Sequence, residues 1–197
     1  MARPRTFDID SALDIATDMF WRRGYDGTSI ADLTKAIGIS APSFYFAFGS
    51  KDAAFRRITE AYLARQDEVV ETAFRKPEAR LVVEALLMGF VDFLTDPEHA
   101  PGCLILNSSL PIAEDHPFRA EWAEDRRALR ERLAERFRKD RRADRGFPSD
   151  WDPAHTARLV VSLIWGIAVE AHSGASGPEL RKMVVQFLKT WPQVQAS

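Results

Sequence analysis

The sequence predicts an all-α protein, with an N-terminal three-helix head containing a helix-turn-helix, joined by a long helix to a helical-bundle body. Three observations carry that prediction. Apolar residues recur at helical spacing from the start, as in Ile9, Leu13, Ala16 and Phe20. Two short segments between residues 29 and 51 each have their own cap and their own terminating glycine. A later stretch, 154–175, is apolar nearly all round, and a helix of that kind must be covered on most of its faces.

Taken in order, Asp8 or Asp10 caps the first helix, whose inward stripe is Ile9, Leu13, Ala16 and Phe20 and which Gly24 closes. Its job is structural, to fix the angle of the next two helices. Ser29 or Thr28 then accepts a bond from an amide at the start of a short second helix, with Asp32 near the positive end of the helix dipole. Ile30, Leu33, Thr34 and Ile37 share one face, Gly38 is the left-handed stop and Ile39 is an apolar plug in the turn. Ser40 caps the third helix and Pro42 sits in its first turn, where a missing amide hydrogen costs little. Phe44 and Phe48, four apart, face inward, which leaves Ala41, Pro42, Ser43, Phe46 and Ala47 on the outer side. Gly49 ends the helix, Ser50 caps the next, and Lys51 at its start is placed to reach a phosphate.

A fourth helix runs from Lys51 toward Phe74 with Phe55, Ile58, Tyr62 and Val69 inward, and a break containing Pro77 comes next. Residues 79–96 form a core helix with Val82, Leu86, Phe90, Phe93 and Leu94 on one broad face. Pro101 and Pro111 fence a short apolar helix. Residues 117–144 make a long helix with a narrow inward stripe of Phe118, Trp122, Leu129, Leu133 and Phe137, while the basic end from Arg136 to Arg145, interspersed with Asp140 and Asp144, reads as a solvated face. Residues 146–153 are a loop, with Asp152 as cap and Pro153 in the first turn of the helix 154–175. The last helix spans 178–191.

The domain division expected is 1–52 for the head and 53–197 for the body. A chain of 197 residues has little material to cover both of its last two helices. Gly166 costs about 1 kcal/mol in a helix interior relative to Ala, which makes sense where another helix crosses closely. A homodimer through a four-helix bundle is therefore expected, with Val161, Ile164, Trp165, Ala168, Val184, Phe187 and Leu188 at the interface.

Composition bounds the function. Hydrophobic residues at 46% and charged residues at 28% mark a folded soluble protein. A net charge of −2 argues against a general nucleic-acid coat protein but not against a specific reader, which needs only local basic groups such as Arg3, Arg5, Lys35 and Lys51. Arg3 and Arg5 read as a basic arm for phosphates or the minor groove. The N-terminus lacks a signal-peptide core, and the longest apolar run, 159–169, is too short to span a bilayer. A single cysteine, Cys103, excludes an internal disulfide framework and fits a reducing compartment, so a cytoplasmic protein is expected, with no membrane partner.

From residue 7 to about 63 the chain resembles the N-terminal DNA-binding domain of the tetracycline-repressor (TetR) family. The resemblance rests on Ala16, Phe20, Gly24, Tyr25, Thr28, Ser29, Leu33, Gly38, Ile39, Ser40, Phe44, Tyr45, Phe48, Ser50 and Lys51. It implies that Thr28, Ser29, Tyr45 and Lys51 hold phosphates while Ala41, Pro42, Ser43 and Phe46 face bases. Ala47 stands where many members carry a histidine that touches the DNA backbone. The resemblance also implies a ligand-responsive regulator, a repressor that binds a near-palindromic double-stranded operator as a homodimer and is released by a small-molecule effector. Its body is then a ligand-binding and dimerisation domain. The pocket residues expected are Phe90, Phe93, Cys103, Leu106, Asn107, Trp122 and Trp165, with Asn107 the most informative polar one.

Gly102, Cys103 and Leu104 resemble a Gly-Cys-Leu stretch in regulators of this kind that respond to electrophiles or metals, and a thiol at a helix start is the more reactive for it. A buried packing thiol is the alternative. No cofactor and no metal are expected: His99, His116, His155 and His172 lack ligand spacing, and no glycine-rich phosphate loop or nucleophile elbow occurs. The rival classes are a helix-bundle enzyme and a constitutive architectural DNA-binding protein.

Overall fold

The computed structural model describes residues 7–145 and 147–191; the proposed basic arm at Arg3 and Arg5 lies outside them. Among the described residues the regular structure is entirely helical: α1 (Ile9–Arg23), α2 (Ile30–Ile37), α3 (Ala41–Phe48), α4 (Lys51–Phe74), α5 (Ala79–Leu94), α6 (Leu104–Ser109), α7 (Pro117–Arg142), α8 (Pro153–His172) and α9 (Gly177–Leu188). They form two compact units. The first ends at Ala64 and takes in Leu104–Glu114; the second is built from Arg65–Cys103 and the chain from Asp115 on. A single cut at 52/53 therefore differs from the division observed. Helix α4 is continuous across residue 52, and α6 packs with α1 in the first unit.

In the first unit, Ala12, Ala16, Phe20 and Trp21 are the buried face of α1. Ile9, expected inward, is 41% exposed, because the buried stripe runs through the small residues Ala12 and Ala16 and leaves the first turn at the edge. Phe20, Phe44 and Phe55 are fully buried, Phe20 and Phe55 with ring centroids 4.7 Å apart, and Trp21 meets Tyr62 edge-on at 5.0 Å. Burying such a ring is worth about 1.5–3 kcal/mol relative to leaving it exposed, so these aromatics hold the first three helices against the start of α4. At Gly24 the chain turns with φ 72, and a Cβ there would lie 2.8 Å from the backbone oxygen of Asn107. Only glycine admits both that conformation and the close approach of α6. Asn107 then donates its side-chain amide to the Trp21 carbonyl at 2.9 Å, closing the end of α1.

In the second unit α5 is buried along nearly its whole length, including Val82, Val83, Leu86, Leu87, Phe90, Val91, Phe93 and Leu94. It packs against α7, α8 and α9. Helix α8 is 20 residues long and apolar enough by composition to cross a membrane. Here it is a core helix, burying Ala157, Val160, Val161, Ile164, Ile167, Ala168 and Ala171 against α5, α7 and α9. The basic end of α7 is solvated at Arg138, Lys139, Arg141, Arg142, Asp144 and Arg145, as expected, but Arg136 and Asp140 depart from that face. Arg136 donates to Asp140 at 2.6 Å, to the Phe74 carbonyl at 3.1 Å and to the Lys76 carbonyl at 2.7 Å, and Asp140 is fully buried. A cation on the unpaired carbonyls at the end of α4 suits the negative pole of that helix.

Candidate nucleic-acid interface

The interface is built on α2, α3 and the first turn of α4, all in the first unit. Ser29 starts α2 with a complete capping box, its hydroxyl accepting from the Asp32 amide at 3.1 Å while the Asp32 carboxylate accepts from the Ser29 amide at 3.1 Å. The Ser29 hydroxyl also donates to the Asp32 carboxylate at 2.5 Å, and that bond, followed by the one from the Ser29 amide, holds the Asp32 carboxyl below its ordinary pKa. Leu33 is fully buried and Gly38, at φ 77, stops the helix in the left-handed conformation. The turn then needs Ser40, whose hydroxyl accepts from the Ser43 amide at 3.3 Å and starts α3.

On α3 the two faces separate cleanly. Phe44 and Phe48 are buried with centroids 4.9 Å apart, whereas Ala41 and Pro42 are exposed, Ser43 and Ala47 are half-buried, and Tyr45 is 51% and Phe46 95% exposed. Phe46 is thus nearly as solvent-accessible as a ring in an unfolded chain. Ser50 caps α4 by accepting from the Ala53 amide at 3.0 Å, and Lys51 is the first residue of that helix.

Sequence reasoning misses two features of the rim. The Lys51 ammonium sits 4.0 Å from the Tyr25 ring centroid, a cation–π contact. Burial pushes the Lys51 pKa below its ordinary value, against the opposing pull of Asp26 and Asp52. Tyr25 in turn donates its hydroxyl to Asp52, and burial followed by that hydrogen bond raises its own pKa. The sequence signal for both is the Gly24-Tyr25 pair, which only the family resemblance singles out.

Thr28 departs from the expectation of a phosphate contact. Its side chain is fully buried and its hydroxyl donates to the Gly24 carbonyl at 2.9 Å. The hydroxyl is used to tie the turn after α1, so among the four expected phosphate-holding side chains only those of Ser29, Tyr45 and Lys51 reach the surface.

The family model described as "Bacterial regulatory proteins, tetR family" matches residues 12–58, the part of the chain that carries this interface. The HTH-type transcriptional repressor ComR of Escherichia coli (strain K12) is 31% identical over 201 residues, covering 98% of this chain and 92% of that protein. The chain belongs to the tetR family. A solved structure of a cysteine mutant of the TetR family transcriptional regulator CifR, complexed with 26bp double-strand operator DNA, is 34% identical with a TM-score of 0.82, covering 96% of this chain and 100% of that one. A putative TetR transcriptional regulator from Rhodococcus sp. RHA1 is 34% identical with a TM-score of 0.63, covering 93% and 99% respectively. The protein is accordingly a DNA-binding transcriptional regulator, not an enzyme.

In this TetR-family regulator the expected pocket residues do not gather in one unit. Phe90, Phe93, Cys103 and Trp122 are buried in the second unit and Trp165 is half-buried there, with the Arg126 guanidinium 5.2 Å from its ring. Leu106 and Asn107 belong to the first unit, where the Asn107 side-chain amide donates to the Trp21 carbonyl. Cys103 immediately precedes α6, is 3% exposed, and accepts from the Gln66 amide at 3.9 Å.

The expected dimer residues are mostly covered by their own chain. Val161, Ile164, Ala168, Val184 and Leu188 are buried within a single chain, and only Trp165 and Phe187 are half-exposed. The apolar side chains that α8 and α9 leave outside are Leu159 at 49%, Val169 at 49% and Val185 at 46%, with Leu163 half-buried beside them. Gly166 falls on the same outer stripe, and a Cβ added there would meet nothing within 4 Å.

Proposed function

We propose that the protein is a repressor that binds a near-palindromic operator as a homodimer and leaves it when a small-molecule effector occupies the helical body. The observation that carries this reading is α3: its Phe44 and Phe48 side is locked into the head while the opposite side, from Ala41 to Phe46, stands clear of its own chain. Ala41, Pro42, Ser43 and Phe46 meet bases, and Ser29, Tyr45 and Lys51 flank them as phosphate contacts. ComR of Escherichia coli is named a repressor, and CifR is complexed with operator DNA; both are relatives that cover nearly the whole chain.

The stripe Leu159, Leu163, Gly166 and Val169, at spacings of four and three along α8, suits the crossing of a second copy, with Val185 of α9 beside it. A two-fold dimer sets half-site centres about 34–36 Å apart. The effector acts on the head through the three places where the chain passes between units, at 64/65, 103/104 and 114/115. By linkage it weakens DNA binding only by its own preference for the state that does not bind. Phe90, Phe93, Cys103, Trp122 and Trp165 are the effector-contacting residues of this reading, and the site of action is the cytoplasm, where the operator is.

Footprinting the full chain on the DNA flanking its own coding region, with and without extracted metabolites, tests this reading. The expected result is a palindromic protected site that some fraction of the metabolite extract releases. A protein that stays monomeric by light scattering at footprinting concentrations, or that protects no sequence over another, would sink it.

A further inference from the structure

We propose that α3 reads C5-methyl groups in the major groove, so that the operator half-site is specified by thymine methyls and accepts 5-methylcytosine in their place. The inference rests on the operator-binding function just proposed and names what that surface recognises.

From Ala41 to Phe48 the helix carries no amide, guanidinium, ammonium or carboxylate side chain. Bidentate reading of guanine needs Arg or Lys, reading of adenine needs Asn or Gln, and acceptance from cytosine needs Asp or Glu. The polar side-chain groups of α3 are two hydroxyls, Ser43 and Tyr45, and neither can make a bidentate base contact. The Ser43 hydroxyl lies 2.9 Å from the Ser40 hydroxyl in a hydrogen bond that either can donate, and Ser40 also caps the helix. The Tyr45 hydroxyl is about 100° around the helix from Phe46, on the side assigned to the backbone. Beside the half-buried Ser43, the side chains facing outward on the Phe46 side are apolar: Ala41, Pro42 and, one turn beyond Pro42, Phe46, which is 95% exposed.

The floor of the major groove presents one apolar group, the C5 methyl of thymine. A phenyl ring on a helix whose neighbouring outward residues are small can approach that methyl closely, and every methyl it covers leaves water together with part of the ring. Cytosine offers a hydrogen atom at the same position, which gives the ring less to cover. A methyl added there restores the contact whatever the base pairs with, since the group and its place in the groove are the same.

The test uses the full chain. Its binding site is selected from random duplexes and the base pairs under α3 are located by footprinting. Fluorescence anisotropy then compares the selected duplex with one carrying dU for dT at those pairs. It also compares duplexes with a contacted T·A pair changed to C·G, with and without a C5 methyl on the cytosine. Each methyl removed should weaken binding about fourfold, the C·G duplex should weaken likewise, and methylating its cytosine should restore part of the loss. Uracil placed outside the footprint should change nothing, and Phe46→Ala should bring the dT-to-dU ratio close to one. Equal binding of the dT and dU duplexes overturns the inference and leaves a sequence-specific regulator that reads its site by other groups. Failure to enrich any sequence removes both readings.

Discussion

The head and the body of this regulator use the same helices and the same apolar residues to opposite ends. In the head, functional side chains stand outside and the interior only aims them: Phe44 is fully buried while Phe46, two residues on, is 95% exposed. In the body the side chains we propose for an effector are themselves core residues, such as Phe90 and Trp122, at 4% and 3% exposure. A surface that reads a rigid duplex can be fully formed before it binds. A pocket made of core must exchange packing for ligand, so its stability and its response are coupled.

The largest effects are expected at the core of each unit. Arg136→Ala leaves the fully buried Asp140 carboxylate without its partner and uncaps the end of α4. The expected cost is about 3–5 kcal/mol, read as a fall in the urea midpoint; a change under about 1 kcal/mol, on the order of a surface ion pair, would mean the pair is solvated after all. Phe44→Ala should cost a similar amount, about 3–5 kcal/mol, through the cavity it opens, with DNA binding lost as the head loosens. Phe46→Ala should leave the melting temperature where it is and lower affinity for the selected site about tenfold, which is about 1.4 kcal/mol. If instead Phe46→Ala destabilises the fold, the ring is core and the two-faced reading of α3 is wrong.

Smaller effects sharpen the picture of the rim. Lys51→Ala should weaken every DNA sequence about equally and reduce the salt slope by about 1; an unchanged slope argues that the amine serves only the Tyr25 ring. The capping box supplies a pH effect of known sign. The Asp32 carboxyl has its pKa lowered in the folded head, chiefly by the Ser29 hydroxyl. Its contribution to stability is therefore fully present above the ordinary aspartate range and lost as pH falls through the lowered value. Thermal melts of Asp32→Asn should lack that component of the acid dependence; a wild-type-like acid slope in the variant would assign the effect to other carboxylates.

The head is legible in the sequence because its information is local. Ser29, Gly38, Ser40, Pro42 and Ser50 each act on a backbone group within four residues, so their order along the chain already states where α2, α3 and α4 begin and end. Thr28 is the exception that shows the limit. A hydroxyl next to a helix start reads equally well as a cap, a phosphate contact or a tie, and only the position of the Gly24 carbonyl decides for the tie.

In the body, periodicity states that α5 and α8 are apolar on several faces without saying which face meets which neighbour. Val161 and Val169 are the same residue type on one helix, 3% and 49% exposed, and nothing within a few residues of either distinguishes them. The burial of five expected dimer residues within one chain is illegible for that reason, and so is the Asn107 bond, whose amide partner is 86 residues away. The Arg136 clamp on the end of α4 likewise joins groups 60 and 62 residues apart.

By itself the sequence determined the helices, their caps and stops, the two faces of α3 and the family, because each of these depends on residues a turn or two apart. Tertiary structure alone decided which apolar faces are spent within one chain, where α6 docks and what Arg136, Thr28 and Asn107 hold. Those choices depend on contacts between segments far apart in the chain, whose free energy no local pattern encodes.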